Sequence, residues 1–186
     1  GAMSDGQLEG AVEFFNRGCS DCHNGPGLSD FQHHNTGLAQ IGPGKNAAGD
    51  DPGRMLVTGD ADDIYAFRTP PLSNAELTGP WGHDGQFADM ADFITHYSDI
   101  EGELRGYDIE ANVDQENLWG LLHDNVDAVL ANLDIDAGGI IPSGKKDRQA
   151  SVQKITAFMG ALVDEGTTDL SHTVPATVPS GLPVAD

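Results

Sequence analysis

Apolar residues recur at helical spacing in four stretches of this chain. Leu8, Val12 and Phe15 repeat at i, i+4 and i+7 behind an S-x-x-Q start, Ser4 to Gln7, and Gly18 predicts the stop. In the second stretch Met90, Phe93, Ile94 and Tyr97 share one face, with Asp89 as the cap and Asp92 at the third helical position. His96 is turned by about 100° from Tyr97 and points elsewhere. A third stripe, Leu118, Leu121, Leu122, Val126, Val129, Leu130 and Leu133, predicts a helix capped by Asp114 and weakened at Gly120. The last helix is predicted from near Asp147 to about Asp164, with Val152, Ile155, Phe158, Met159, Leu162 and Val163 inward and Gly166 as its stop. No internal repeat is present.

Residues 24–80 lack this rhythm. Gly25-Pro26-Gly27, Gly42-Pro43-Gly44, Asp51-Pro52-Gly53 and Thr69-Pro70-Pro71 mark a mostly irregular run. So long a loop-rich stretch is unusual in a compact domain unless it packs on something other than itself. The 186 residues suit one domain, expected over 1–170 with an insertion at about 100–133. A tail over 171–186, with Pro175, Pro179 and Pro183, is expected to be extended.

The chemistry concentrates in Cys19-Ser20-Asp21-Cys22-His23. Two cysteines two residues apart with a histidine directly behind are the attachment signature of a c-type haem. One backbone turn separates the thiols, so each can form a thioether with one vinyl group of the same porphyrin. The histidine then offers a ring nitrogen to the iron. A redox dithiol would need a surrounding βαβ pattern, which is lacking. A zinc site needs about four ligands; no further cysteine exists, though His33-His34 could supply two nitrogens. A rigid haem also accounts for the irregular run, whose segments can pack on the porphyrin faces. Arg54 and Arg68 stand out among few cations, either as partners of the haem propionates or as surface partners of the many acids.

Attachment of this kind implies an exported protein, periplasmic or extracellular, in a bacterium. With both cysteines consumed, no disulfide framework is expected. No apolar run approaches the ~18 residues of a membrane span. The opening Gly1-Ala2-Met3 reads as a cloning scar, so a targeting segment or an upstream domain is expected to precede it in the native product. Thirty acidic residues against nine basic give a net charge of −21. That opposes nucleic-acid and anionic-membrane binding. It fits a docking field for a basic redox partner or a solvated surface.

A series of motifs then resembles one family: Cys19–His23, His34-Asn35-Thr36-Gly37, Gly53-Arg54, Val57-Thr58-Gly59, Phe67-Arg68-Thr69-Pro70, Leu72, Asn74, Leu77-Thr78, Pro80, His83-Asp84-Gly85 and Phe87. Together they resemble the C-terminal haem domain of the bacterial di-haem cytochrome c peroxidase/MauG family, over about residues 8–97 and more loosely the last helix. The resemblance implies an all-α, cytochrome c-like haem domain with long loops and an extra helical insertion. It implies one covalent haem on Cys19 and Cys22, with His23 proximal. The second axial ligand comes from the helix after the H-D-G motif, methionine in the peroxidases and tyrosine in MauG, and that position falls on Tyr97. Met55, in the loop-rich half, is the alternative; His96 and His83 follow, and Met90 reads as core. Calcium is implied through backbone oxygens at Thr78 and Pro80. The chain departs from the pattern in having one C-x-x-C-H, in Ser73 where arginine is usual, and in the insertion, which is read as packing.

The function expected is electron transfer, as the electron-transfer half of a di-haem peroxidase, with a redox protein or an upstream haem domain as partner. The alternative is a haem peroxidase or MauG-like oxidase acting on hydrogen peroxide at this haem.

Overall fold

A computed structural model describes residues 3–46, 49–169, 171–173, 175 and 178–181. Helix α1, Asp5–Asn16, starts as its spacing predicts: Ser4 Oγ accepts from Gln7 N at 3.3 Å and Gln7 Oε1 accepts from Ser4 N at 2.8 Å. Its orientation does not follow the apolar stripe. Leu8, Val12 and Phe15 are 54%, 54% and 52% exposed, while Gly10, Ala11 and Phe14 face inward. Helix α7, Lys145–Gly160, decides this by crossing at Gly10. A Cβ there would lie 2.0 Å from the Lys154 carbonyl oxygen, so only glycine lets the backbones meet. Phe14 then packs on Phe158, ring centroids 5.3 Å apart.

The other helices are short. They are α2 (Met55–Thr58), α3 (Met90–His96), α4 (Ile100–Arg105), α5 (Ile109–Asn112) and α6 (Val126–Leu130). Asp89 caps α3 by accepting from Ala91 N at 2.7 Å and Asp92 N at 3.3 Å. Met90 and Ile94 join Phe14, Val152, Ile155, Phe158 and Met159 in the main core. The irregular run carries one two-residue ladder, β1 (His33–His34) antiparallel to β2 (Phe67–Arg68), pairing His33 with Arg68 and His34 with Phe67. The fold class is all-α, as expected.

The predicted helix over the 118–133 stripe is not formed. Residues Glu116–Leu121 make a 3-10 turn led by Gln115 rather than Asp114, and α6 begins only at Val126 after Asn125. At Leu122 the backbone turns extended and pairs with Ile41; His123 N donates to Gln40 O at 3.0 Å. Pairing with residues 40–42 replaces helix continuity. The insertion does pack: Ile100, Leu104, Ile109, Val113 and Val129 are buried. The last helix also ends earlier than predicted, at Gly160, because Asn74 Oδ1 captures Asp164 N at 2.7 Å. Gly166 sits instead in a 3-10 turn, Glu165–Thr167, capped by Asp164. Of the tail, Ser171–Thr173 form a 3-10 turn, and most of the rest lies outside the described residues.

One buried network ties the insertion to the irregular run. Asp50 Oδ2 accepts from Tyr65 Oη at 2.7 Å and from Asn125 Nδ2 at 3.0 Å, and Asn46 Nδ2 donates to Oδ1. Burial alone would raise this carboxyl, but those bonds outweigh it and hold it below the ordinary carboxylate value. A depressed folded pKa adds stability that is present above the unfolded value of about 3.9 and is lost as pH falls through the folded one. Asp50→Asn is therefore expected to melt lower at neutral pH and to show a flatter fall of the melting midpoint below about pH 4. Calorimetry of both proteins across that range checks it.

Candidate haem site

Where α1 ends, Gly18 takes a left-handed φ of 81° and turns the chain into a 3-10 turn, Cys19–Asp21. Cys22 N and His23 N both donate to Cys19 O, which sets the two cysteines one turn apart. The following loop folds back on this turn: Ser29 N donates to Asn24 O at 2.7 Å and Asp30 N to Cys22 O at 2.8 Å. The fold-back brings the Leu28 carbonyl to 2.9 Å from His23 Nδ1. Because a carbonyl only accepts, Nδ1 carries the proton and Nε2 keeps its lone pair, the tautomer and orientation a metal-ligating histidine needs. Leu28 adopts a φ of 49°, a conformation uncommon outside glycine, to present that oxygen.

The electrostatics agree. Burial lowers the His23 pKa, partly offset by the bond to Leu28, so the ring stays neutral as ligation requires. Burial pushes Cys19 up to about 11 and raises Cys22, whose neighbours Asp30 and Asp21 add to the shift. A catalytic dithiol needs a depressed thiol pKa, so this environment opposes the redox-dithiol reading. The donor set fits a covalently held haem: two protonated thiols one turn apart and one oriented neutral imidazole.

Tyr97 closes α3 and lies against the same core cluster as Cys19 and Leu28, its carbonyl accepting from Ile140 N and Ile141 N. Its hydroxyl is pushed up to about 12, first by burial; a hydrogen bond with the Thr36 side chain pulls the other way, and Cys19 and Cys22 add to the rise. His96 faces elsewhere, fully buried with Nε2 2.9 Å from Thr36 O, so the backbone engages it. His83 stacks on Phe67 at 3.5 Å and meets Asp51 at 3.0 Å and Asp84 at 3.5 Å. Met90 is core. Met55 opens α2, partly buried, directly after Arg54.

Arg54 and Arg68 are brought together around His33. Arg54 Nη1 lies 3.4 Å from His33 Nδ1, and Arg68 is the cross-strand partner of His33. Burial lowers the His33 pKa, and both arginines lower it further. Each arginine also has an ordinary partner: Asp63 at 3.8 Å for Arg54 and the Phe31 ring at 5.7 Å for Arg68. The two histidines of the zinc reading diverge. His34 Nε2 meets Asp30 Oδ2 at 2.8 Å, and Cys22, Asp30 and His34 place ligand atoms within 4.8 Å of one another, whereas His33 turns to Arg54. Thr78 and Pro80 lie in an exposed turn, with Thr78 Oγ1 donating to Ala75 O. Among the described residues, the Cys22 group is the sole cluster of three His, Cys or acidic ligands within metal reach, so the calcium expectation rests on the resemblance.

Sequence reasoning missed Leu28, Asp30 and Thr36. Asp30 carried a signal, four residues before His34. Leu28 acts through its backbone oxygen and carried none; Thr36 lay within the His34-Asn35-Thr36-Gly37 motif, but its contacts, through the backbone oxygen to His96 and through the side chain to Tyr97, were not foreseen.

No family model matches the chain. Cytochrome c551 peroxidase from Pseudomonas aeruginosa is 34% identical over 122 residues, 66% of this chain and 34% of that protein. The enzyme of the same name from Nitrosomonas europaea is 39% identical over 89 residues, 48% of this chain and 26% of that protein. Over these stretches the chain is a homologue of the bacterial cytochrome c peroxidases and of MauG. Among solved structures, a MauG-like protein associated with microbial copper homeostasis superposes with a TM-score of 0.55 at 25% identity, over 90% of this chain and 50% of that one. The chain thus spans about a third of the length of the first relative and half of the MauG-like structure. Members of the cytochrome c peroxidase/MauG family bind haem, in agreement with the donor set built here. Among the described residues, no helix is long and apolar enough to cross a membrane.

Proposed function

We propose that the chain is a mono-haem c-type cytochrome domain that carries out electron transfer. The carrying observation is the hydrogen bond from His23 Nδ1 to Leu28 O, which reserves Nε2 for a metal one residue after the second cysteine. When bound, haem supplies a reversible one-electron ferric/ferrous couple. Cys19 and Cys22 would tether it as thioethers, and His23 would offer Nε2 to its iron. Leu28 fixes the imidazole plane and increases the basicity of Nε2. Tyr97 would be a further ligand to the iron, releasing the proton that burial otherwise holds on its hydroxyl and so becoming a hard anionic donor that favours the ferric state. Arg54 and Arg68 would neutralise the haem propionates. Export to the periplasm and a redox protein or second haem domain as partner complete the reading.

The purified chain is expected to show a c-type pyridine haemochrome and a low-spin ferric spectrum that cyanide and peroxide leave unchanged. Tyr97→Phe is expected to shift the ferric spectrum to high spin; an unchanged spectrum would move the assignment to Met55. The names of the relatives favour a second reading, peroxide reduction at this haem. That reading needs an open axial position, so a cyanide-sensitive high-spin band with peroxide turnover would select it.

A further inference from the structure

The outward face of α1 keeps three large apolar side chains about half exposed. Leu8, Val12 and Phe15 stand at i, i+4 and i+7, all about half exposed, while the helix buries its opposite face against α7. Three large apolar side chains in a row on solvated helix surface mark an interaction site when they adjoin something functional. This row does. Phe15 packs edge-on against Phe14 at 5.5 Å between centroids, and Phe14 lies 6.3 Å from the His23 ring. Two ring contacts therefore connect the outer face to the axial histidine. The rim is acidic at Asp5 and Glu9, in a chain of net charge −21, whereas Glu13 on the same helix is already held by Arg17 at 2.8 Å and by Ser151. Glu9 meets Lys154 only at 3.4 Å with its side chain 65% exposed, leaving it open to an incoming cation.

We propose that the Leu8–Val12–Phe15 face of α1 is the docking surface for a basic electron-carrier protein. The partner carries a small apolar patch ringed by lysines: its patch covers the stripe and its ring meets the acidic rim. Encounters of this kind bury less than about 1,200 Å² and are steered by charge. The choice of an electron carrier rests on the cytochrome reading; the position of the surface does not.

The test titrates the holo-chain with a lysine-rich c-type cytochrome of net positive charge, reading affinity by calorimetry and amide shifts by NMR. Wild type is expected to bind with shifts centred on residues 8–15, and to lose at least tenfold in affinity between low and physiological salt. Leu8→Ser combined with Val12→Ser, and separately Val12→Lys, are each expected to weaken binding at least tenfold with absorption spectrum and melting midpoint unchanged. Leu122→Ser, on the insertion, is expected to bind as wild type. Unchanged affinity in both stripe variants overturns the proposal. So does a wild-type dimer that the double variant makes monomeric, since the occupant is then a second copy. A colourless chain would defeat the cytochrome reading while the titration still located the surface.

Discussion

Gly10→Ala is expected to lower the melting midpoint by about 6–12 °C, from an overpacking cost of about 3 kcal/mol in a chain of this size. The added methyl would lie 2.0 Å from the Lys154 carbonyl oxygen, 2.9 Å from its carbon and 3.0 Å from Phe158 Cβ. Two of those atoms are helix backbone and cannot rotate aside, so α1 and α7 must separate. Separation loosens Phe14 against Phe158 and, through Phe14, the wall beside His23. The same substitution at Gly6, on the same helix with nothing within 4 Å, is the control. It is expected to be neutral or stabilising by up to about 1 kcal/mol, since alanine favours helix. Denaturant unfolding of both variants measures the difference, and equal stabilities would contradict the crossing described here.

His23→Ala is expected to abolish the low-spin ferric spectrum while leaving the colour on the polypeptide. Cys19 and Cys22 retain the tether, but the nitrogen that Leu28 O orients is gone. Added imidazole is expected to restore the low-spin bands by filling the vacated position. Retention of the wild-type spectrum without imidazole would mean that another side chain holds the iron on that side.

Sequence revealed what short-range chemistry decides. Cys19, Cys22 and His23 act within one turn, and the Ser4–Gln7 and Asp89 caps are satisfied within three residues, so each was readable. The burial of α1 was not, because the choice of face belongs to α7: Gly10 outweighs three larger apolar residues by permitting backbone contact. The 118–133 stripe misled for a similar reason. Its leucines keep helical spacing, but Leu122 and His123 pair with residues about 80 positions away, and periodicity carries no record of that competition. Within the site, the C-x-x-C-H motif was legible from spacing, while the Tyr97 assignment comes from the helical face and the family resemblance. The Leu28 carbonyl that selects the His23 tautomer is a backbone group set by a positive φ, and no side chain announces it.

The central claim is a haem joined covalently through Cys19 and Cys22. Its most direct measurement is the absorption of the chain, made in a host able to mature c-type cytochromes, after acid–acetone extraction and conversion to the pyridine haemochrome. The account predicts that all the haem stays with the polypeptide, one per chain, with c-type bands that vanish in Cys19→Ala combined with Cys22→Ala. Colourless protein that still unfolds cooperatively, or haem that leaves with the solvent, would contradict it.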